Sequence, residues 1–236
     1  MVVVQPALVN KGVALDKLGN FNVAESVFSD AIAFDPNAFA PRIGLGNMLL
    51  DSMGDPVRAL AAYEGGLAVV TDSDDRALLH ANCAYALALH DGDTAIAHEH
   101  ARQALANGNS ISAAGRHLLG ALLCLSDPPA ARWPRVFEQI GKAVDSGDSS
   151  LWSNYLDDLQ RLLWFIVARG EGDALRQWMN GAQYPMRYAP LYHALVAAID
   201  GEDHLLRINP ETRHPAARIY DGIAHRLRIY GKDRLK

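Results

Sequence analysis

The sequence predicts an all-α fold in which antiparallel helix pairs stack in chain order into a right-handed α-solenoid. Small residues recur every 34 to 38 positions, and each period holds two stretches with apolar residues at helical spacing. No segment shows the alternation of apolar and polar residues that is typical of a strand. Half of the 236 residues are hydrophobic, so the chain can bury a sizeable core.

Glycine and alanine mark the period. The recurring small residues are Gly12 and Gly46, then Gly19, Gly54 and Gly92, then Ala24, Ala59 and Ala97, and last Ala31, Gly66 and Ala104. Small residues allow two helix backbones to approach closely, and the bulky residues Phe28 and Tyr63 can fill the space beside them. Gly19 predicts the end of the first helix, because glycine readily adopts the left-handed conformation there.

These positions resemble the tetratricopeptide repeat, a family of paired-helix units. Residues 5–38 match its pattern at Leu8, Gly12, Leu15, Gly19, Phe21, Ala24, Phe28, Ala31 and Pro36. A second copy, at 39–73, matches at Gly46, Leu49, Gly54, Ala59 and Tyr63, with one extra residue before Gly54. A third, at 78–109, has Tyr85 in place of the small residue and Ala101 in place of the aromatic one. A fourth, at 112–147, keeps Gly120 and Ala143.

The period fades after residue 148, but helical patterns continue. We therefore predict repeats over 1–148, and degenerate helical pairs with a C-terminal cap over 149–236. The expected helices of the second part cover 151–169, 173–179 and 188–199, and a last one begins near Pro215. All four tryptophans lie between 133 and 178. They predict core packing, with anchors for a partner as the alternative.

The resemblance also implies a binding site. In tetratricopeptide proteins the first helix of every pair lines a concave groove that receives a peptide or a helix. Alignment with the family places the groove wall at Val9, Val13, Asp16, Lys17, Ile43, Asn47, Asp51, Asn82, Ala86, His90 and His117. This set lacks the lysine–asparagine–arginine clamp of chaperone-binding members, and it suits a helical or extended apolar segment. The alternative is that the terminal helices of this chain fill the groove.

The predicted function is a non-catalytic protein–protein interaction module of the scaffold, adaptor or chaperone type. The alternative is a ligand- or peptide-sensing regulatory solenoid, one arm of a larger signalling protein. We expect no enzyme activity and no cofactor, because the sequence has neither a phosphate-binding loop nor a nucleophile motif. Gly44 and Gly46 are interpreted as packing residues inside a helix and not as a dinucleotide-binding loop.

No metal site is predicted. His98 and His100 are two residues apart, so their side chains diverge on a helix and cannot bind one ion together. We interpret them as solvated surface residues. The adjacent acidic run, Asp72 to Asp75, is interpreted as a loop that caps a helix.

Charge is unevenly distributed along the chain. Residues 1–204 carry a balance of −10, and residues 205–236 carry a balance of +5. The body would repel nucleic acid, and only the basic tail could attract it. We interpret the tail as a solvated cap, with an acidic partner or nucleic acid as the alternative. Its basic residues include Arg218, Arg226, Arg228, Lys232, Arg234 and Lys236.

Location and assembly are expected from the same composition. No stretch approaches the roughly 18 uncharged apolar residues of a membrane span, and no signal peptide is recognised. Cys83 and Cys124 are expected to be buried free thiols, which fits a cytoplasmic protein. The first pair begins close to Met1 without a polar capping helix, so we expect a second copy, a partner or an upstream domain of a longer chain to cover Leu8 and Leu15.

Overall fold

The computed structural model describes residues 4–91, 94–107, 111–146, 156–181, 189–200 and 215–230, and every regular element in these ranges is helical. The prediction of an all-α fold is therefore confirmed for these residues. The helices are α1 (Val4–Lys17), α2 (Phe21–Phe34), α3 (Ala40–Asn47), α4 (Pro56–Leu67), α5 (Ser73–Asp91), α6 (Thr94–Asn107), α7 (Ala113–Cys124), α8 (Pro129–Ser146), α9 (Leu156–Ala168), α10 (Gly172–Gly181), α11 (Ala189–Asp200) and α12 (Pro215–Tyr230). A π-helical turn, Met48–Ser52, continues α3.

The chain divides into two compact units. The first unit is residues 1–111, with α1 to α6, and the second unit is residues 112–236, with α7 to α12. The predicted boundaries of the individual repeats, and the division at residue 148, stay predictions. Two of the expected C-terminal helices correspond to α10 and α11, and the last one begins at Pro215 as expected. Residues 151–155 of the remaining expected helix lie outside the described ranges.

In the first unit each helix packs against the next one in the chain, and α1 also contacts α3. Phe28 on α2 lies over two glycines. A Cβ atom added to Gly12 on α1 would lie 2.7 Å from the ring, and one added to Gly44 on α3 would lie 2.5 Å from it. Tyr63 on α4 covers Gly46 in the same way. Because both rings are fully buried, the glycines of α3 are packing positions inside a helix, as the sequence predicted.

Glycine ends α1 as expected. Gly19 has a φ of 77°. Its N–H donates to the carbonyl of Asp16 at 2.9 Å, and the N–H of Asn20 donates to the carbonyl of Leu15 at 2.9 Å. This pair of bonds satisfies two carbonyls that the helix itself leaves without a donor. At the start of α5, the backbone N–H of Asp75 donates to the Asp72 carboxylate at 3.0 Å, so the acidic run does cap a helix.

The second helix pair has one residue more than the first pair before its helix-ending glycine, and the π-helical turn accommodates this residue. Gly46 and Gly54 are eight residues apart, one more than the matching glycines of the first pair. In the turn, the N–H of Met53 donates to the carbonyl of Met48, five residues earlier, at 3.1 Å. A π turn contains one residue more than an α turn, so the helix still reaches a left-handed glycine, Gly54, with a φ of 69°.

The second half of helix α5 is buried on all sides, whereas Leu78 in its first half is 39% exposed. Every residue from Ala81 to Leu89 is buried, although a one-sided apolar stripe is predicted for the first helix of a pair. The run is almost entirely apolar, and a helix that is apolar all round is normally surrounded by protein. Tyr85 on α5 and Ala101 on α6 exchange the large and small positions of the first two pairs, and both are buried.

The second unit departs from chain-order stacking. Helix α9 contacts α7, α10, α11 and α12. Arg226 on α12 reaches back to Gln160 on α9, with its Nη1 3.0 Å from the amide Oε1. Gly222 lies so close to Gln160 that an added Cβ would overlap the side-chain amide. Trp164, fully buried on α9, packs near Tyr230 with ring centroids 4.9 Å apart.

The tryptophans that the structure describes are largely core residues. Trp133 and Trp164 are buried, which confirms core packing for these two. Trp178 is half-buried and packs against Phe137, with ring centroids 4.8 Å apart. Trp152 lies outside the described residues.

Candidate partner-binding surface and histidine pair

The predicted groove residues of the first two pairs lie on α1 and on α3 with its π turn. Val9 and Val13 are half-buried on α1, and Ile43 and Asn47 are half-buried on α3. Because α1 and α3 contact each other, these residues belong to two neighbouring helices. Asn47 Oδ1 accepts a hydrogen bond of 2.7 Å from the Tyr63 hydroxyl. Each of the four predicted residues is therefore partly open to a partner.

The charged residues of the predicted groove differ in exposure. Lys17 is exposed, whereas Asp16 and Asp51 are half-buried. The Oδ1 atom of Asp16 is shielded from solvent and has no hydrogen-bond partner in the part of the chain that the structure describes. Shielded carboxylate oxygens normally accept a hydrogen bond, so Asp16 has an acceptor left to satisfy.

The third and fourth pairs contribute differently. Asn82 is 8% exposed and Ala86 is 0% exposed, so α5 presents no open wall at these two positions. His90 is half-buried. His117 belongs to the second unit, where its Nδ1 lies 2.9 Å from the Oε1 of Gln139 on α8. A groove that is continuous over all four pairs stays a prediction. Asn82 and Ala86 are its two buried wall residues, and the other nine are half-buried or exposed.

A second set of surface residues escaped the sequence prediction. Within the described ranges, every exposed large apolar side chain lies in the first unit. They are Leu18, Val23, Phe34, Val57, Leu78 and Ile96. Single exposed apolar residues are common, but three of these recur in the first turn of the second helix of each pair. In the sequence, Val23 and Ile96 stand directly before the recurring alanines, and this position could have identified them as a repeated apolar surface.

A histidine pair joins α5 to α6. Nδ1 of His80 lies 2.9 Å from Nδ1 of His100, and the ring centroids are 5.0 Å apart. At this distance the two nitrogens form a hydrogen bond, in which one ring donates and the other accepts. The interpretation of His98 and His100 as solvated residues is wrong, because His98 is 6% exposed and His100 is half-buried. Spacing within one helix could not reveal a contact between two helices.

Burial keeps this pair uncharged near neutral pH. It lowers the pKa of His80 from 6.5 to about 4, and the neighbouring His100 and Arg76 act in the same direction. Burial also lowers the pKa of His100, although the charges of Glu64 and Glu99 oppose the shift. Both rings are therefore neutral near pH 7. The hydrogen bond between them uses the Nδ1–H of one ring and the Nδ1 lone pair of the other.

The two cysteines are buried free thiols, as predicted. Burial raises the pKa of Cys83 to about 12, and it also raises the pKa of Cys124. A thiol that stays protonated is a poor nucleophile and a poor metal ligand.

Neither a metal cluster nor a membrane-spanning helix is found in the described ranges. No group of three or more His, Cys, Asp or Glu side chains there could hold a metal ion. The helices described there also include none with the length and apolar character needed to cross a membrane.

The basic C-terminal segment offers less positive surface than the sequence suggests. Arg226 is 3% exposed, and its Nη1 also donates to the carbonyl of Gly222 at 3.2 Å. The interpretation of Arg226 as a solvated surface residue is therefore wrong, because the side chain lies between α9 and α12. Arg228 is exposed, with its Nη2 2.8 Å from Nδ1 of His225. The side chains of Arg218, Lys232, Arg234 and Lys236 lie outside the described residues.

Comparison with known proteins adds no relative. None of the known protein-family models matches the chain, and none of the curated proteins matches it. The resemblance to the tetratricopeptide repeat therefore depends on the residue pattern and the helix contacts described above.

Proposed function

We propose that the first unit is a protein-interaction module, built as a right-handed solenoid of tetratricopeptide-like helix pairs. It holds a helical or extended apolar segment of another polypeptide, or of a second copy of this chain, on α1 and α3. The observation that carries the proposal is that α1 and α3 contact each other and that both carry apolar side chains that are only half-buried, Val9, Val13 and Ile43. Association that buries such groups is favourable because it removes apolar surface from water.

Half-buried residues on α1 and α3 provide the proposed contact. Val9, Val13 and Ile43 supply apolar surface on two helices that touch. A donor from the bound segment would satisfy the shielded oxygen of Asp16 once that side chain turns toward it. Apolar contact therefore gives affinity, and the carboxylate gives the segment a preferred register.

The charge of the first unit defines the chemistry of the partner further. Residues 1–111 contain six Lys or Arg and thirteen Asp or Glu, a balance of −7. A field of this sign attracts a basic segment and repels nucleic acid. We therefore propose a partner segment with an apolar face and flanking Lys or Arg residues.

Matched charge substitutions test the location of this surface. The tagged full chain and its variants are used to capture partners from the cells that make it, and captured proteins are quantified by mass spectrometry. Val13→Asp and Ile43→Asp should each reduce the captured partner by at least about tenfold, because docking would bury an unpaired charge. Val23→Asp and Val57→Asp make the same kind of change on α2 and α4 and should retain the partner.

Thermal unfolding of the same variants is the control. All four should melt within about 4 °C of the parent, since none of these side chains is fully buried. A much lower melting temperature for Val13→Asp and Ile43→Asp would make these side chains core residues and would contradict the groove assignment. Loss of partner with Val23→Asp instead would move the docking surface to the second helices. A parent chain that captures no protein and is monomeric by light scattering would contradict the proposed module itself.

A further inference from the structure

Helix α6 is held against α5 by a contact of unusual composition. The buried side chains described on α6 are Ala97, His98, Ala101 and Ala104. Alanine side chains bury little apolar area, so they stabilise helix packing less than larger side chains such as Phe28 of α2 do. The His80–His100 hydrogen bond joins α6 to α5 and adds a polar contact to this packing.

We propose that the His80–His100 hydrogen bond is an acid-sensitive latch, which holds α6 on α5 at neutral pH and releases α6 when the pair is protonated. The chemistry follows from the two Nδ1 atoms, 2.9 Å apart. In the neutral pair one Nδ1 carries a hydrogen and the other a lone pair, so a hydrogen bond forms. Protonation of the acceptor turns both atoms into donors. The bond is then lost, and the contact becomes repulsive.

Charged groups on all three packed helices act on the pair. Arg76 on α5 disfavours protonation of His80. Glu64 on α4 and Glu99 on α6 favour a positive charge on the pair, but burial outweighs them. Glu99 is exposed, and its Oε2 lies 3.4 Å from Arg102 Nη1, whose positive charge partly offsets the charge of the carboxylate. Cys83, one turn after His80 on α5, stays an uncharged thiol because burial raises its pKa to about 12.

The direction of the pH effect follows from these shifts. In the unfolded chain a histidine titrates near 6.5, whereas the pKa of folded His80 is lowered to about 4. The closed state therefore resists proton binding. Its stability is complete above pH 6.5 and is lost progressively as the pH falls from 6.5 toward 4. Each pH unit in this window changes the equilibrium between closed and open α6 by up to about tenfold.

Hydrogen exchange in the full chain measures this release directly. At pH 5 most carboxylates are still ionised, so the change from pH 7 to pH 5 reports mainly on histidine. The protection factors of α6 amides should fall by about tenfold over this range, and those of α1 and α2 should change by less than about threefold. In the double variant His80→Asn/His100→Asn neither side chain of the contact titrates, so the pH-dependent loss from α6 should shrink to less than about threefold.

His117→Asn is the matched control, because the His117 Nδ1 also lies 2.9 Å from a side-chain partner, but that partner is the neutral Gln139. This variant should reproduce the parent. Unchanged α6 protection in the parent would overturn the latch, and so would equal losses in the parent and in the double variant. A loss shared equally by α1 to α6 would be unfolding of the whole unit and would overturn the latch too. Should the double variant fail to fold, imidazole titration of the parent by NMR decides: the latch requires at least two of the nine histidines to titrate below pH 6.5, one of them near pH 4.

Discussion

Among the described residues, the first unit buries the polar side chains of His80, Asn82 and His98, whereas the second unit buries two arginines, Arg161 and Arg226. In the first unit, Phe28 occupies the space that the missing side chains of Gly12 and Gly44 leave open. In the second unit, Arg226 and Gln160 are both buried, and they form a hydrogen bond. Shape matching requires the right volume at each position, but a buried guanidinium also requires correctly placed acceptors. The stability of the second core therefore depends on hydrogen-bond geometry as well as on side-chain volume.

The ion-pair cluster around Glu171 in the second unit is more shielded than the pair between Arg58 and Glu25 in the first. Glu171 joins two arginines, with Arg132 Nη1 at 2.5 Å and Arg169 Nε at 3.2 Å, and all three side chains are largely shielded. Arg58 and Glu25 form a more exposed pair. Shielded ion pairs are screened less by water and salt than exposed ones, so loss of the Glu171 carboxylate should have a larger effect than loss of the Glu25 carboxylate.

The largest expected effect is that of Gly222→Ala. The added methyl group overlaps the Gln160 amide and displaces the acceptor of Arg226, so we expect a loss of about 3 kcal/mol in the free energy of unfolding. Urea unfolding followed by tryptophan fluorescence measures it, since all four tryptophans lie in the second unit. Gly181→Ala is the control, because no atom lies within 4 Å of its added Cβ. A change below about 1 kcal/mol for Gly222→Ala would show that the amide moves aside easily.

A somewhat smaller effect is expected for Gly46→Ala. The methyl group enters the space of the buried Tyr63 ring, and we expect a loss of about 2 kcal/mol, net of the gain in helix propensity. Far-UV circular dichroism during urea unfolding measures it. Gly65→Ala on α4 is the control, because its Cβ would meet mainly the flexible guanidinium of Arg42. If Gly46→Ala shifts the tryptophan transition by the same amount, the two units unfold as one, and the comparison between them needs revision.

The smallest effects compare the two ion pairs. Glu171→Gln should lower the free energy of unfolding by about 1.5 kcal/mol, because two shielded arginines lose their carboxylate. Glu25→Gln should change it by less than about 0.5 kcal/mol, because its pair with Arg58 is more exposed. Unfolding at low and at high salt tests the reason, since added salt should reduce only the effect of Glu25→Gln. Equal effects of the two substitutions would remove the distinction between the units.

Features that depend on near neighbours in the sequence were predictable. Gly19 and Pro215 correctly indicated where helices end and begin, because the preference acts within one turn. The period likewise indicated which small residues make room for Phe28 and Tyr63. Such contacts repeat with the chain, and one sequence contains several copies of the signal.

Contacts between distant residues were not predictable from the pattern. His80 and His100 are twenty residues apart on two helices, and Arg226 lies 66 residues from Gln160. Neither pair recurs in the sequence, so the repeat period cannot predict either contact. The apolar run from Ala81 to Leu89 indicates burial on all sides of this part of α5. A one-sided apolar stripe was expected there, so the run was not interpreted in this way. The groove remains an implication of the family resemblance, and Asn82 and Ala86 are the two predicted wall residues that the structure buries.

The π-helical turn at Met48–Ser52 affects how this chain tolerates insertions and deletions. An added residue in a regular α-helix rotates everything after it by about 100°, which would turn the buried face toward water. Here the addition is confined to a single turn, and Gly54 still ends the helix before α4 begins. The ring of Tyr63 thus remains over Gly46. A deletion within this turn would restore the seven-residue spacing of the first pair, so the helix can change its length by one residue without exchanging its inner and outer faces.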